Sequence, residues 1–350
     1  MKRKKIGFCG FWDGFDKKNN LMTQILEERY ELEFSENPDF LFVSSFGSPF
    51  AYMKYDCIRI LYTGEPLSPD FNVFDYAIGM EHMSLPDAAG NNRYFRLPLC
   101  FDREEGIVPF PPALTRSQAE EVLRKKKYFC NFIYGHRSAM GQREAILEEM
   151  QKYKRVESAG SFLNNMYDGR VIPFSKEKLD FLRDCKFTIA CESIRYPGFV
   201  TEKIADPFFA DSVPIYYGDP LVEKEFNPEA MIHLGAFSDL EEGIERVIEV
   251  DQDDEQYLKI LMAPKLASEH YVENICDGLR AFLFNIFDQE KEEAFRRLRL
   301  YAQKAHEDHL KAYAEVYQSP WYQTQRKMNM LKKRARNKIR KEFIRGYKKN

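Results

Sequence analysis

The 350-residue sequence contains no apolar stretch of about 18 residues, the length that a membrane-spanning helix needs. Its first five residues are basic in character, but the apolar run behind them is broken by Gly7, Gly10 and Asp13. A secretory signal requires a continuous apolar segment at this point. We therefore expect no transmembrane helix and no signal peptide, and we predict a cytoplasmic protein.

Paired cysteines and clustered histidines are also missing. The seven cysteines are scattered, and no C-x-x-C pair occurs. This pattern disfavours a disulfide framework or a zinc site and predicts reduced, buried thiols. The histidines show no ligand spacing beyond His306 and His309, and the acidic stretch Asp251–Gln256 is predicted to be a solvated loop. The sequence therefore predicts no metal site.

Two glycine-rich phosphate-binding motifs are absent. Neither G-x-G-x-x-G nor G-x-x-x-x-G-K-[ST] occurs in the sequence. These motifs let the backbone approach a pyrophosphate closely. Their absence disfavours a dinucleotide-dependent dehydrogenase and a P-loop NTPase.

Apolar runs of strand length alternate with helical periods through most of the chain. Strands are predicted at KIGFCGF, FLFVSS, IRILYT and DYAIGM in the first half, and at KKKYFCNFIYG, KFTIACES and SVPIYYG in the second. This alternation predicts the α/β class, with two Rossmann-like domains facing a cleft. A proline-rich and charged segment, residues 103–127, separates them. We therefore predict one domain at residues 1–115 and another at 116–320, the second including the C-terminal helices.

The last 30 residues form a strongly basic tail. Residues 321–350 contain twelve Lys/Arg and one acid, a net charge of +11, whereas the rest of the chain carries −14. Spacings of three or four connect the apolar residues Met328, Leu331, Ala335, Ile339, Phe343 and Tyr347. An apolar stripe on a basic helix predicts binding to an anionic membrane surface. A disordered or core-docking helix is the alternative; RNA binding lacks an accompanying motif.

The stretch GFVTEKIADPFFADSVPIYYGDP, residues 198–220, places a charged triplet before an apolar segment. Thr201 can cap a helix, and Glu202 suits its first turn. One interpretation is an ordinary capped helix with a solvated Lys203. The other is a diphosphate site, because free N–H groups at a helix N-terminus attract anions and Lys203 adds a charge. Pro207 is predicted to kink this helix or to begin a second one after Asp206.

Two blocks of the sequence are distinctive. One is FTIACESIRYPGFVTEKIADPFFADSVPIYYGDP, residues 187–220; the other is YTGEPLSPDFNVFDYAIG, residues 62–79, followed by RYFRLPL at residues 93–99. The block at 187–220 resembles the donor-binding motif of the α-1,3-fucosyltransferases, glycosyltransferase family ten. The block at 62–79 is similar to the acceptor-domain motif of the bacterial members. The resemblance covers roughly residues 5–320.

This resemblance implies a fold of the GT-B type and transfer of fucose from GDP-fucose with inversion at the anomeric carbon. It implies an acceptor glycan, with N-acetylglucosamine and an α-1,3 linkage as the expected target, in lipopolysaccharide or capsule synthesis. No cofactor and no nucleic-acid partner are expected, and the tail suggests a peripheral position on the inner membrane face. The alternatives are a relative that uses another nucleotide sugar and a non-catalytic protein that binds glycans or nucleotides.

The resemblance also implies the catalytic residues. The general base of the family corresponds to Glu65, in a Gly-Glu-Pro turn after the strand RILYT. Asp70 and Asp75 are nearby rivals, although Asp70 is more typical of a turn cap. Glu202 corresponds to the family's donor-contacting carboxylate, which stabilises charge on the fucose ring.

The remaining predicted residues bind the donor. Lys203, after Thr201 and Glu202, resembles the diphosphate-binding lysine. Arg143 matches an arginine at the start of a helix, where a guanidinium can hold a phosphate with two hydrogen bonds, and Arg137 competes with it.

Three other positions of the donor motif depart from the family pattern. Glu192 matches the acid of E-N-S, but Ser193 stands where Asn is usual. Phe199 stands where Tyr is usual, and Tyr217 replaces Trp. These departures leave the diphosphate residues intact and put the contacts to the sugar in doubt.

Overall fold

The first sheet comes from the apolar runs of the N-terminal third. The computed structural model describes residues 1–87, 90–102, 106–138, 140–173, 176–297 and 301–347. Six strands, all paired in parallel, lie in the order 2-1-3-4-5-6. The elements are β1 (Lys2–Cys9), α1 (Leu21–Glu27), β2 (Tyr30–Phe34), β3 (Phe40–Val43), β4 (Ile58–Tyr62), β5 (Tyr76–Gly79) and β6 (Tyr94–Arg96).

Burial explains why these runs form parallel strands. Every residue of β3, β4 and β5 is buried. Strands that are covered on both faces read as continuous apolar runs rather than alternating ones. Strands β2 and β6 lie at the edges of the sheet and were not predicted, because they lack such a run.

The second sheet follows the same plan. Five parallel strands lie in the order 11-10-9-7-8. The predicted α/β class with two parallel sheets is therefore confirmed. The elements are α2 (Arg116–Lys125), β7 (Tyr128–Phe132), α3 (Gln142–Tyr153), β8 (Val156–Ser158), α4 (Lys176–Arg183), β9 (Cys185–Cys191), α5 (Glu202–Phe209), β10 (Val213–Tyr217), β11 (Ile232–His233), α6 (Leu240–Gln252) and α7 (Asp254–Met262).

Pro207 starts no new helix; it lies in the last turn of a helix that ends at Phe209, and a kink at this position stays a prediction. Another local expectation was wrong. The stretch Asp251–Gln256 is not a solvated loop, because α6 runs into it and α7 starts within it. Asp251 is buried, and its Oδ1 lies 2.9 Å from the Lys186 ammonium, a partner 65 residues away in sequence.

The chain then returns to the first sheet. Phe287 stacks on Phe40 of β3 with ring centroids 4.2 Å apart, and Phe282 meets Tyr76 of β5 edge-on. The sequence grouped the C-terminal helices with the second half, whereas these two ring contacts of α8 are with strands of the first. The domain boundaries stay a prediction. The elements are α8 (Tyr271–Asp288), α9 (Lys291–Ala294), α10 (Tyr301–Gln318) and α11 (Pro320–Tyr347).

Within the described ranges, no helix combines the length and apolar character needed to cross a membrane. All seven cysteines are unpaired thiols, and five of them are buried.

A buried ion pair fastens the returning chain to the first sheet. Asp75 directly precedes β5 and is fully buried. It accepts hydrogen bonds from the Arg59 backbone N–H at 2.8 Å and from Arg297 Nε at 3.2 Å. Arg297 also donates to the Cys57 carbonyl at 2.8 Å, and Glu307 of α10 lies 2.9 Å from Arg59 Nη2. A buried guanidinium is tolerated only when its charge and its N–H groups are satisfied in this way.

We predict that Asp75→Asn lowers the free energy of unfolding by about 3–5 kcal/mol, because it removes the buried carboxylate that pairs with Arg297 and leaves Glu307 as the carboxylate for both Arg59 and Arg297. Urea denaturation followed by tryptophan fluorescence measures the loss. Asp13→Asn makes the same chemical change at an exposed site and should stay within about 0.5 kcal/mol of the wild type. Equal stability of the two variants would contradict the role assigned to Asp75.

Candidate active site

A pocket of about 230 Å³ lies where β7 and β9 end and α5 begins. Carboxyl ends of parallel strands are the usual place for a ligand site in such sheets. Three predicted residues, Arg143, Glu202 and Lys203, line this pocket together. Other lining residues were not predicted, among them Asn131, Tyr134, His136, Lys178 and Thr188.

Glu192, the residue after β9, holds the triplet Thr201–Glu202–Lys203 in position. Its carboxylate accepts hydrogen bonds from the Thr201 N–H at 2.9 Å and from the Thr201 hydroxyl at 2.8 Å. It also lies 3.2 Å from Lys203 Nζ, although its side chain is completely buried. Thr201 in turn caps α5, as predicted, by accepting from the Lys203 N–H at 3.5 Å. Glu192 therefore lies outside the pocket lining and fixes the position of Lys203, which is part of that lining.

Burial and neighbouring charges shift the pKa values of Glu192, Glu202 and Lys203. Burial raises the pKa of Glu192 above its ordinary value. Burial alone would lower the pKa of Lys203, but the carboxylates of Glu192 and Glu202 outweigh it and raise that pKa. Burial opposes ionisation of Glu202, yet Lys203 and Lys178 more than compensate, so its pKa is lowered. Lys203 is therefore a cation and Glu202 an anion at neutral pH.

Lys178 adds a second lysine to the pocket. Its Nζ lies 2.7 Å from Asp206 Oδ2 on α5, and both side chains are buried. No local sequence signal identifies this residue, because Lys178 and its partner are 28 positions apart and come from different helices.

Arg143 is presented to the pocket by the first turn of α3. Its guanidinium lies over the Tyr134 ring, 4.2 Å from the centroid. Nε and Nη2 each donate to the Cys191 carbonyl at 3.2 Å, and Nη1 donates to the His136 carbonyl at 2.9 Å. Arg137, the competing candidate, has a side chain that is 77% exposed and lies 3.5 Å from Glu144. Of the two arginines, only Arg143 lines the pocket.

Five predicted donor residues lie outside this lining: Glu192 and Thr201, described above, and Ser193, Phe199 and Tyr217. Phe199 is buried. Ser193 and Tyr217 are half-buried, and the Tyr217 carbonyl accepts from the Glu192 N–H at 2.8 Å. Roles for these side chains as donor contacts therefore stay predictions.

Glu65 belongs to a second pocket, of about 460 Å³, at the carboxyl ends of β1, β3 and β4. Its side chain is exposed, and its turn is fixed by a hydrogen bond from the Glu65 N–H to the buried Thr63 hydroxyl at 3.1 Å. Asp102 lines the same pocket, and burial raises the pKa of Asp102 to about 7.

The rival carboxylates are placed differently. Asp75 is fully buried in its ion pair with Arg297. Asp70 accepts from the Asn72 N–H at 2.9 Å, as a turn cap does. Among the three candidates for the general base, only Glu65 lines the pocket.

A cluster of polar side chains brings together residues from the two halves of the chain. Possible metal-ligand atoms of His82, Asp219 and Glu225 lie within 4.8 Å of one another in the described part of the chain. Arg96 Nη1 lies 2.7 Å from Glu225 Oε1, so a guanidinium already supplies positive charge there. Burial lowers the pKa of His82 to about 4 and raises that of Glu225 to about 7. That the protein has no metal site stays a prediction.

Comparison with known proteins relates both halves of this arrangement to one family. The model of the alpha-(1,3)-fucosyltransferase FucT N-terminal domain matches residues 6–101, and that of the glycosyltransferase family 10 (fucosyltransferase) C-terminal region matches residues 122–263. An alpha-(1,3)-fucosyltransferase FucT from Helicobacter pylori is 29% identical over an alignment of 318 positions, and the match covers 81% of this chain and 63% of the relative. A putative fucosyltransferase of Acanthamoeba polyphaga mimivirus is 27% identical over 60% of this chain and 34% of its own length.

The chain thus spans between about a third and just under two thirds of these relatives' length. A crystal structure of an alpha1,3-fucosyltransferase is similar, with a TM-score of 0.68 and 26% identity, over 83% of this chain and 91% of that one. A crystal structure of an alpha1,3-fucosyltransferase with GDP-fucose has the same fold, with a TM-score of 0.62 and 24% identity over 83% of this chain and 93% of that one. The chain combines two parallel sheets with the paired motifs, and both family models match it. It therefore has the GT-B fold and belongs to glycosyltransferase family 10, the fucosyltransferases.

Proposed function

We propose that this protein transfers fucose from GDP-fucose to a hydroxyl of an acceptor glycan, with inversion at the anomeric carbon. The observation that carries the proposal is the joint position of Arg143, Glu202 and Lys203 in one pocket at the start of α5. By resemblance to the family, the acceptor is N-acetylglucosamine, the linkage is α-1,3, and the product belongs to lipopolysaccharide or capsule. Crystal structures of fucosyltransferases with GDP and with GDP-fucose support the choice of donor.

The first pocket suits the diphosphate of the donor. Arg143 uses three of its five N–H groups on backbone carbonyls, which leaves two for a phosphate. Lys203 adds a cation beside the N-terminus of α5, where the helix presents positive potential. Glu202 accepts hydrogen bonds from donor hydroxyls and stabilises positive charge that develops on the sugar ring.

The reaction is a single displacement. The acceptor oxygen forms a bond to the anomeric carbon while the bond from that carbon to the diphosphate breaks, and GDP leaves with both bonding electrons. Glu65 takes the proton of the acceptor hydroxyl, the role of a general base. Arg143 and Lys203 stabilise the negative charge that builds on the leaving diphosphate, so the chemistry needs no metal ion.

A family relative that uses another nucleotide sugar is the second candidate. Phe199 stands where the family pattern has Tyr, and it is buried. Ser193 and Tyr217 also depart from the pattern. These are residues expected near the sugar rather than near the diphosphate, so a donor screen must include other sugars.

We also infer that the tail binds an anionic membrane surface from the cytoplasmic side. Helix α11 carries exposed apolar side chains, Trp321 at 69%, Met328 at 41% and Leu331 at 63% exposure. The side chains of Ile339, Phe343 and Tyr347 lie outside the described residues. A basic helix with exposed apolar residues fits an interface between acidic headgroups and acyl chains.

Removing one cation should weaken donor binding. We expect Lys203→Ala and Arg143→Ala each to reduce GDP affinity by about 1.5–3 kcal/mol, the value of a charge-assisted hydrogen bond. Calorimetric titration with GDP and GDP-fucose measures the change, at a temperature well below the melting of each variant. Arg137→Ala is the matched control and should bind like the wild type. Binding of UDP-sugars without binding of GDP-fucose would move the protein out of the proposed function.

Glu65→Gln keeps the size and hydrogen bonding of the side chain but cannot accept the proton. We expect turnover to fall by about 10²–10⁴-fold, the usual contribution of a general base. The affinity for GDP-fucose should be unchanged, because Glu65 lines the other pocket. Initial transfer rates and donor titrations provide both numbers, with Asp70→Asn as the matched control. Near-normal turnover in Glu65→Gln would show that the base lies elsewhere.

Truncation after Pro320 should leave active enzyme that no longer sediments with anionic vesicles. The physical reason is the loss of the exposed apolar residues and of the +11 charge. Co-sedimentation with phosphatidylglycerol vesicles measures binding, and neutral phosphatidylcholine vesicles are the control. If the truncated protein still sediments like the full chain, the membrane role of the tail is wrong.

A further inference from the structure

Two exposed aromatic rings form one wall of the pocket that contains Glu65. Trp12 follows β1 and is 46% exposed; Phe46 follows β3 and is 53% exposed. Their ring centroids lie 5.7 Å apart at an interplanar angle of 85°. Both line the 460 Å³ pocket together with Glu65. Large apolar side chains exposed in a concave site usually serve a ligand rather than the core.

The two loops that carry these rings are locked together. The Gly10 carbonyl accepts hydrogen bonds from the Phe46 and Gly47 N–H groups, both at 2.9 Å. Gly10 has a φ of +76°, and a Cβ there would lie 2.4 Å from the Ser44 carbonyl oxygen. Only glycine permits so close an approach of the loops. The relative position of Trp12 and Phe46 is therefore set before any ligand arrives.

A stack of rings connects this wall to the strand that leads to Glu65. Trp12 packs edge-on against Phe15 with centroids 5.0 Å apart, and Phe15 stacks on Phe11 at 4.1 Å. Phe11 in turn lies parallel to Tyr62, the last residue of β4, at 6.0 Å. Because Glu65 comes three residues after Tyr62, the exposed rings and the carboxylate share one rigid support.

Polar groups adjoin the rings. Ser44, which is 7% exposed, lines the pocket, and its hydroxyl has no hydrogen-bond partner among the described residues. Asp102 lies in the same lining, and because burial raises its pKa to about 7, it can donate as well as accept a hydrogen bond near neutrality. An exposed indole ring, with a second ring at 85° to it and polar groups beside it, matches a pyranose, which has an apolar face and a rim of hydroxyls.

We propose that Trp12 and Phe46 form the platform on which the acceptor sugar stacks, with the pyranose ring on the exposed face of Trp12 and one hydroxyl turned toward Glu65. The inference rests on the proposed function, since it identifies residues that hold the acceptor of that reaction. Stacking fixes the ring so that the reacting hydroxyl meets the base, which is the positioning that an intermolecular transfer requires. Trp12 and Phe46 are positioning residues for this step, and Glu65 takes the proton.

Tryptophan fluorescence can report directly on the platform, because the sequence contains few tryptophans. The sequence contains two tryptophans, Trp12 and Trp321, so Trp321→Phe leaves Trp12 as the single indole. We expect a saturable change in its fluorescence on titration with an oligosaccharide ending in N-acetylglucosamine, in the presence of GDP. Unchanged emission at acceptor concentrations that saturate transfer would overturn the platform. A response to a detergent or lipid with none to the glycan would overturn it too.

Kinetics provide a second test. Trp12→Ala should raise the acceptor KM about tenfold or more, with GDP-fucose affinity unchanged, and Trp12→Phe should recover part of the loss because it retains a ring. Tyr167→Ala removes a ring that is 93% exposed and lies outside the pocket lining, so its acceptor KM should be that of the wild type. A normal acceptor KM in Trp12→Ala would contradict the platform while the transferase function stands. Failure of the wild type to bind GDP-fucose would instead contradict the proposed function.

Discussion

The contacts of the buried Glu192 carboxylate are the interaction on which the pocket at the start of α5 depends. The carboxylate accepts from Thr201 at the start of α5 and lies 3.2 Å from the Lys203 ammonium. One residue earlier, the Cys191 carbonyl accepts two hydrogen bonds from Arg143. The end of β9 therefore positions a helix N-terminus, a lysine and an arginine together. Burying a carboxylate is costly unless it is paired and hydrogen-bonded, and this set of contacts supplies both conditions.

The second constraint is the return of the chain to the first sheet. Helix α8 packs its aromatic side chains against β3 and β5, and the buried Arg297 pairs with Asp75. Arg96 at the end of β6 also donates from Nη2 to the Gly198 carbonyl at 3.3 Å, within the sequence block at residues 187–220. The two pockets thus belong to sheets that are connected at several points. The proposed function requires such a connection, because it assigns the base to one pocket and the diphosphate to the other.

Much of the fold could be predicted because the relevant signals are local. Buried parallel strands appear as unbroken apolar runs, so β3, β4, β9 and β10 were identifiable from the sequence. The cap at Thr201 follows from its side chain and the residues directly after it. The edge strands β2 and β6 were missed because they lack such runs. The acidic stretch at 251–256 was misread because Lys186, the partner of the buried Asp251, lies far away in sequence.

The sequence by itself determined the α/β class, the charged triplet at a helix start, the glutamate turn after a buried strand and the basic tail, since each depends on neighbours within a few residues. Only the tertiary structure decided that Arg143 rather than Arg137 lines the pocket, that Lys178 joins it, and that Asp75 serves packing rather than the cleft. Likewise, only the approach of the loops after β1 and β3 brings Trp12 beside Phe46. The reason is physical: a buried charge or a shared wall is defined by segments that are distant along the chain, and these meet only when the sheets have formed.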